Sequence, residues 1–207
     1  MPKHFSREER ELIHSELLRA GRDHFGRLGF KRASVEEIAQ ECGISKGTLY
    51  SFYRTKEAFF LDVLLLAEHD ARDRLVTRLL ESEEHPADAF VEALFEQLAH
   101  LDGSPIFHVL TRPDEYRLLF RKLDDGSIEP HIAGDRELIG RLLAEAAKET
   151  PVRPVDPDTL GGVMRGLTFF SLHRKEIGIE VFEPALRMLL TMVARYLFPG
   201  HEPEAGG

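Results

Sequence analysis

SVEEIAQECGISKGTLYSFYRTK, residues 34–56, is the stretch that decides the fold of the N-terminal part of this chain. Ser34 and Glu37 have the spacing of a capping box, which predicts that a helix begins here. Gly43 follows that helix, where a residue without a Cβ adopts a positive φ at little cost. Ser45 can then cap a second helix. The stretch therefore predicts two short helices joined by a tight turn.

Apolar residues stand where two short helices that cross at a steep angle need them. The small Ala39 precedes Gly43, while Leu49 and Phe52 follow it at helical spacing and form the inner face of the second helix. This is the pattern of a helix-turn-helix, which places its second helix in the major groove of DNA. A buried helical hairpin with a solvated polar face would share the same spacing, so the outer face of the second helix becomes the deciding feature.

The outer face of the second helix carries groups that suit DNA. We expect Lys46 and Thr48 to lie near base edges, since side-chain donors on such a helix enter the groove. Backbone N–H groups at Ser45 and Gly47 are open to phosphate oxygens. The side chains predicted to reach phosphates are Ser34, Tyr50 and Lys56.

With these residues in place, the stretch resembles the DNA-binding domain of TetR-family transcriptional repressors. The resemblance covers about residues 13–60, and its ISKGTLY core is the most specific part. Phe52 stands where many members of that family carry a His or Tyr that contacts phosphate. The hydroxyl of the neighbouring Tyr53 can supply this contact, which adds Tyr53 to the predicted DNA-binding residues.

Composition agrees with the all-α fold that the resemblance implies, because helix-forming residues dominate, Trp is absent and no alternating strand pattern stands out. We expect residues 1–55 to form a three-helix DNA-binding domain with the helix-turn-helix. Residues 56–198 would form a helical domain for effector binding and dimerisation, and residues 199–207 a disordered tail. A helix from Lys56 to Leu80, about 38 Å long at 1.5 Å per residue, would link the two domains.

Charge is distributed unevenly along the chain. Residues 1–56 hold 11 Lys and Arg against 8 Asp and Glu, a balance of +3, whereas residues 57–207 carry a balance of −12. The net charge of −9 would by itself argue against nucleic acid. A weakly basic head on an acidic body nevertheless suits a protein that contacts DNA with one end only.

The last two long predicted helices carry broad apolar surfaces. Asp156 and Pro157 can cap the first of them, and Met188, Met192 and Tyr196 widen the surface of the second beyond a single stripe. A helix with so wide an apolar surface needs partners on two sides. We expect a four-helix dimer interface across a two-fold axis, although ordinary monomer core would fit the same pattern. The interface residues predicted on this basis are Leu160, Val163, Leu167, Leu186, Leu189 and Val193.

The resemblance also implies a small effector bound inside the second domain. Aromatic and polar residues of that region would suit a mostly apolar pocket with a few orienting groups. The candidate pocket residues are Phe107, His108, Tyr116, Phe120, Arg165, Phe169, Phe170 and His173. Plain helical core is an equally open reading of the aromatic members, and no residue identifies the compound.

Patterns for catalysis, cofactors and metals are missing from the sequence. It contains no phosphate loop, nucleophile elbow or dinucleotide fingerprint, and no two histidines have HxxxH spacing. Cys42 is the only cysteine, which excludes an intrachain disulfide and suits a reducing compartment. Residues 1–20 lack the apolar segment of a signal peptide, and the longest apolar run, residues 63–67, is too short to cross a membrane. We therefore expect a cytoplasmic, non-enzymatic protein without cofactor, metal or membrane contact.

The sequence thus predicts a homodimeric transcriptional regulator, a repressor that a small effector releases from a pseudo-palindromic double-stranded DNA operator. Two readings from other classes remain open. A ligand-binding or scaffold dimer that no longer reads DNA would be compatible with Phe52 and the acidic body. A small helical enzyme built on the second domain has no motif behind it.

Overall fold

The computed structural model describes residues 5–99, 101–112, 114–115 and 129–201. Every regular element in these ranges is a helix, which confirms the predicted all-α fold. None of the helices described is long and apolar enough to span a membrane. The α-helices are α1 (Arg7–Arg32), α2 (Val35–Glu41), α3 (Lys46–Phe52), α4 (Lys56–Leu80), α5 (Pro86–Ala99), α6 (Glu129–Ala146), α7 (Pro157–Leu172), α8 (Arg174–Ile177) and α9 (Ile179–Leu197). Two short 3₁₀ helices, Leu101–Gly103 and Phe107–Thr111, lie between α5 and α6.

The chain forms two compact units. Unit 1 contains Met1–His69 and Ser104–Leu123, and unit 2 contains Asp70–Gly103 and Asp124–Gly207. The division therefore falls inside α4, later than the predicted domain boundary at residue 56. The reason is that the first half of α4 packs into the aromatic core of unit 1.

Four phenylalanines form the centre of unit 1. Phe25, Phe30, Phe59 and Phe60 are at most 2% exposed, and their rings meet mostly edge to face at centroid distances of 5.1–5.4 Å. Edge-to-face packing is the arrangement that aromatic quadrupoles prefer. Gly21 lets α1 approach α4 closely, since a Cβ at this position would lie 2.7 Å from the ring of Phe59.

The start and end of α1 are both set by local chemistry. Ser6 accepts a hydrogen bond from the backbone N–H of Glu9, whose carboxylate accepts from Ser6 in return, so the helix begins with a complete capping box. Gly29 has a φ of +80°, which interrupts the regular helix at this position. One more helical turn follows and ends at Arg32.

Unit 2 is built on the packing of α9 against α5 and of α7 against α6. The buried side of α9 consists of Phe182, Leu186, Leu190, Ala194 and Leu197, all fully inaccessible to solvent. Asp156 caps α7 by accepting from the N–H of Thr159 at 3.1 Å, and Pro157 takes the first helical position, both as predicted.

Candidate nucleic-acid interface

The turn between α2 and α3 has the geometry that the sequence predicts. Ser34 accepts a hydrogen bond from the N–H of Glu37 at 3.3 Å, and the N–H of Ile44 reaches back to the carbonyl of Ala39 at 3.0 Å. Gly43 has a φ of +67°, yet a Cβ there would meet no atom within 4 Å. Glycine is therefore required at the turn by backbone conformation and not by lack of space.

Helix α3 is anchored by one buried side chain and presents a polar outer side. Leu49 is fully buried, while Lys46, Gly47 and Tyr50 are exposed. Ser45 caps the helix by accepting from the N–H of Thr48 at 3.1 Å, and its hydroxyl lies 2.9 Å from that of Thr48. The structure thus brings most of the residues predicted to bind DNA onto one short, accessible surface.

An acidic residue that the sequence analysis did not single out lies beside this surface. The ammonium of Lys46 donates a hydrogen bond to the carboxylate of Glu36, ten positions earlier on α2. This hydrogen bond raises the pKa of Lys46 and lowers the pKa of Glu36, so both groups stay charged at neutral pH. A phosphate or base that binds Lys46 must therefore compete with Glu36.

Tyr53 is a correction to the predicted DNA-binding set. Its side chain is buried, and its hydroxyl donates to the carboxylate of Asp62 at 2.7 Å and lies 2.7 Å from Nε2 of His14. Burial and the bond to Asp62 raise the pKa of Tyr53. The hydroxyl therefore ties α3 to α1 and α4 and is not directed at a phosphate. The sequence showed no signal for this because Asp62 and His14 lie 9 and 39 positions from Tyr53 and meet it only in the folded chain.

Lys56 has a role within the fold of unit 1. Its ammonium donates to the carbonyl of Ala33 at 2.6 Å and to that of Lys31 at 3.3 Å, and lies 4.9 Å from the ring centre of Phe30. Burial lowers the pKa of Lys56. Two of its three donors serve the end of α1, so the predicted phosphate contact depends on the third.

The predicted effector residues that the structure describes are divided between the two units. Phe107 is buried in unit 1, whereas Arg165, Phe169, Phe170 and His173 belong to unit 2. Phe169 is exposed, and Phe170 stacks on Phe182 at 5.6 Å as part of the core. Tyr116 and Phe120 lie outside the described residues, as does the side chain of His108.

The predicted dimer interface also needs correction. Leu160, Leu167 and Leu186 are buried within the chain and therefore offer little surface to a partner. Leu189 and Val193 are half-buried, and Val163 is exposed. Three exposed apolar side chains recur at every fourth position in the second half of α9, and we call them the α9 stripe: Met188 at 65%, Met192 at 61% and Tyr196 at 51%. Ile179 and Val181 are also exposed, at the start of the same helix.

Comparison with known proteins agrees with this geometry. Residues 17–63 match the sequence model of bacterial regulatory proteins of the tetR family. The transcriptional regulator AcuR of Cereibacter sphaeroides is 31% identical over 90 residues, which cover 44% of this chain and 36% of AcuR. The regulator UidR of Escherichia coli is 33% identical over 88 residues, covering 42% of this chain and 43% of UidR. Both matches thus span less than half of the relative's length.

A solved structure extends the similarity in fold to nearly the whole chain. The crystal structure of a TetR-family transcriptional regulator from Pectobacterium atrosepticum superposes with a TM-score of 0.72, covering 97% of this chain and 100% of that one. At 18% sequence identity, this likeness concerns the fold alone.

Proposed function

We propose that this chain, whose N-terminal domain is a TetR-family helix-turn-helix domain, acts as a homodimeric repressor that a small effector releases from its operator. The observation that carries the proposal is the accessible outer side of α3. Leu49 packs the opposite side of this helix into the core, and the turn at Gly43 sets the direction of the helix. A helix presented in this way fits the major groove.

Recognition of DNA would combine positioning and base contacts. Backbone N–H groups at the start of α3 and the side chain of Tyr50 would bind phosphates and set the register. Lys46 would read base edges after leaving Glu36, so base recognition would exchange this ion pair for hydrogen bonds to acceptors on a base. Two copies related by a two-fold axis require a pseudo-palindromic operator with half-sites about one helical turn apart.

The α9 stripe supports dimerisation. Soluble proteins seldom leave large apolar side chains exposed in a continuous patch unless a partner covers them. The opposite side of α9 already fills the core of unit 2 with Leu186 and Leu190, so the stripe is a second apolar surface on the same helix. A second copy of the chain would cover it.

Release by an effector follows from linkage. An effector that binds more tightly to the form with low DNA affinity weakens operator binding by its difference in affinity, typically about 1–3 kcal/mol. Helix α4 contributes residues to both units, and we propose that it transmits the change. The half-exposed Arg165, 3.9 Å from Asp135, is the charged group that the effector would meet.

A DNA-binding measurement tests the proposal. Fluorescence anisotropy with the DNA upstream of the chain's own gene, alongside selection of sites from random DNA, should yield a palindromic site bound by two copies. The matched control is a variant with Gly47→Asp, which places a carboxylate at the start of α3 without altering Leu49. A folded dimer that selects no sequence would refute the repressor and favour a scaffold or ligand-binding dimer.

A further inference from the structure

Two histidines and an aspartate meet at one end of unit 2. His85 precedes α5, Asp88 lies in its first turn, and His201 follows α9. Nε2 of His201 is 2.7 Å from the carboxylate of Asp88, although the two residues are 113 positions apart. The imidazoles of His85 and His201 stack at a centroid distance of 3.6 Å. One ligand atom from each of the three residues lies within 4.8 Å of the other two.

The orientation of His85 is fixed by its own helix. Its Nδ1 accepts a hydrogen bond from the N–H of Ala87 at 3.2 Å, so the proton of the neutral ring is on Nε2. Nε2 in turn lies 3.1 Å from the hydroxyl of Thr150. A histidine whose Nε2–H donates to an outer hydroxyl can offer its Nδ1 to a metal, which is the arrangement of a ligand oriented by a second hydrogen bond.

We propose that His85, Asp88 and His201 bind a divalent transition metal of the Zn²⁺ class. Two imidazole nitrogens and one carboxylate oxygen are the donor set that such ions prefer, and three protein ligands leave one position for water. Ligand bonds of about 2.0–2.1 Å place neighbouring donors of a tetrahedral site roughly 3.3 Å apart. The three donors lie within 4.8 Å of one another, so metal binding requires side-chain rotations that bring them closer and unstack the two imidazoles.

Metal binding at this site has a defined proton balance. Without metal, Nε2 of His201 lies 2.7 Å from the carboxylate of Asp88, and Nε2 of His85 lies 3.1 Å from the hydroxyl of Thr150. Each imidazole would bind the metal as the neutral ring, with one nitrogen on the metal and the proton on the other. For His85 the ligand would be Nδ1, which exchanges its contact with the N–H of Ala87 for the metal while Nε2–H stays on Thr150. For His201 the ligand would be Nε2, with the ring proton on Nδ1, and any imidazolium must first lose one proton to solvent, so affinity would fall as the pH is lowered. Because the three ligands come from both ends of unit 2 in sequence, the metal would stabilise the folded chain through mass action.

The sequence analysis could not predict this metal site. No two histidines have HxxxH spacing, and the pair His85 and Asp88 gains its third member only when the segment after α9 returns to the start of α5. The alternative is that Asp88 and His201 form a purely structural ion pair, with the stacked ring of His85 as packing. This alternative predicts that the three residues stabilise the fold but do not bind metal. Titration of the chain with Zn²⁺ distinguishes the two possibilities.

The test uses the full chain, freed of metal by chelation and dialysis. Calorimetric titration with Zn²⁺ should show one ion per chain, and Co²⁺ should produce the visible absorption of a tetrahedral site. His201→Ala and Asp88→Asn should each weaken Zn²⁺ binding by more than about tenfold, since even the loss of an outer partner costs 10–100-fold. His173→Ala, a half-exposed histidine elsewhere in unit 2, is the control and should bind as the parent does.

Two results would overturn the proposal. One is the lack of the Co²⁺ absorption in the parent chain, which needs no variant and so does not depend on whether a variant folds. The other is an unchanged Zn²⁺ affinity in folded His201→Ala, with circular dichroism establishing the fold. Neither result touches the DNA-binding proposal, because the three ligands belong to unit 2 and α3 to unit 1.

Discussion

The carboxylate of Glu115 accepts a hydrogen bond from the backbone N–H of Phe30 at 2.7 Å, joining two residues 85 positions apart within unit 1. Glu115 is 6% exposed and also accepts from the guanidinium of Arg112 at 3.1 Å. The N–H of Phe30 needs this acceptor because Gly29 interrupts the helix just before it. A side chain from beyond residue 104 thus completes the hydrogen bonding at the end of α1.

Removal of this acceptor should destabilise unit 1. Glu115→Ala leaves the buried N–H of Phe30 unpaired, and we expect a loss of about 1–3 kcal/mol in the free energy of unfolding. Urea denaturation followed by circular dichroism measures it. Asp114→Ala removes an exposed neighbour that pairs with Lys31 and should change stability far less. Equal losses of unfolding free energy in the two variants would show that the hydrogen bond to Phe30 does not contribute to stability more than the exposed ion pair does.

The conformation of Gly29 gives a second stability prediction. At a φ of +80°, a side chain is strained, and a Cβ would also lie 2.9 Å from a carboxylate oxygen of Glu115. Gly29→Ala should therefore cost more than about 1–2 kcal/mol. Gly140→Ala serves as the comparison, since a Cβ in α6 would meet nothing within 4 Å and should stabilise the helix by up to about 1 kcal/mol. A higher melting temperature for Gly29→Ala than for Gly140→Ala would contradict this explanation.

The pair formed by Lys46 and Glu36 should control DNA affinity. Glu36→Gln removes the competing carboxylate, and we expect tighter operator binding, with the gain greatest at low salt. Lys46→Ala should weaken binding, since a cation on the outer side of α3 is lost. Anisotropy titrations over a series of salt concentrations measure both. Tighter binding after loss of Lys46 would place the DNA elsewhere.

Lys56 and Tyr50 test the assignment of phosphate contacts. Tyr50→Phe should weaken operator binding without altering stability, because the residue is exposed on α3. Lys56→Ala should destabilise the end of α1 and, if its third donor binds a phosphate, lower the salt slope by about one unit. If the Lys56→Ala variant is less stable but the salt dependence of its operator binding is unchanged, Lys56 stabilises the fold and does not contact phosphate.

Dimerisation through the α9 stripe is tested by comparing substitutions on the exposed and buried sides of helix α9. Met192→Glu should shift the protein from dimer to monomer in analytical ultracentrifugation while leaving the fold intact. Leu186→Ala, on the buried side, should instead cost about 2–5 kcal/mol of stability. Glu180→Ala, an exposed polar position on the same helix, is the control. A Met192→Glu variant that remains dimeric would rule out the stripe as the interface.

Local chemistry made the helix-turn-helix predictable. Each helix cap and the turn depend on residues within a few positions of one another, so they can be recognised in the sequence. This holds for the caps at Ser34, Ser45 and Asp156 and for the turn at Gly43. Helix α4 also begins and ends at the predicted residues, Lys56 and Leu80.

Features that depend on distant partners could not be predicted in the same way. Two apolar stripes run along α9, and spacing alone does not tell which of Leu186 and Met188 faces the core, because that depends on where α5 lies. The hydroxyl of Tyr53 turned inward because Asp62 and His14 offered partners. The bond between Glu115 and Phe30 likewise has no counterpart in local sequence.

The two methionines of the α9 stripe have a chemical consequence for the assembled protein. A thioether oxidised to the sulfoxide becomes polar and no longer suits an apolar contact. Both sulfurs would be reachable by peroxide in a single copy and sheltered once a second copy covers them. Oxidative footprinting of Met188 and Met192 would therefore report the state of association, and the damage itself would prevent separated copies from rejoining.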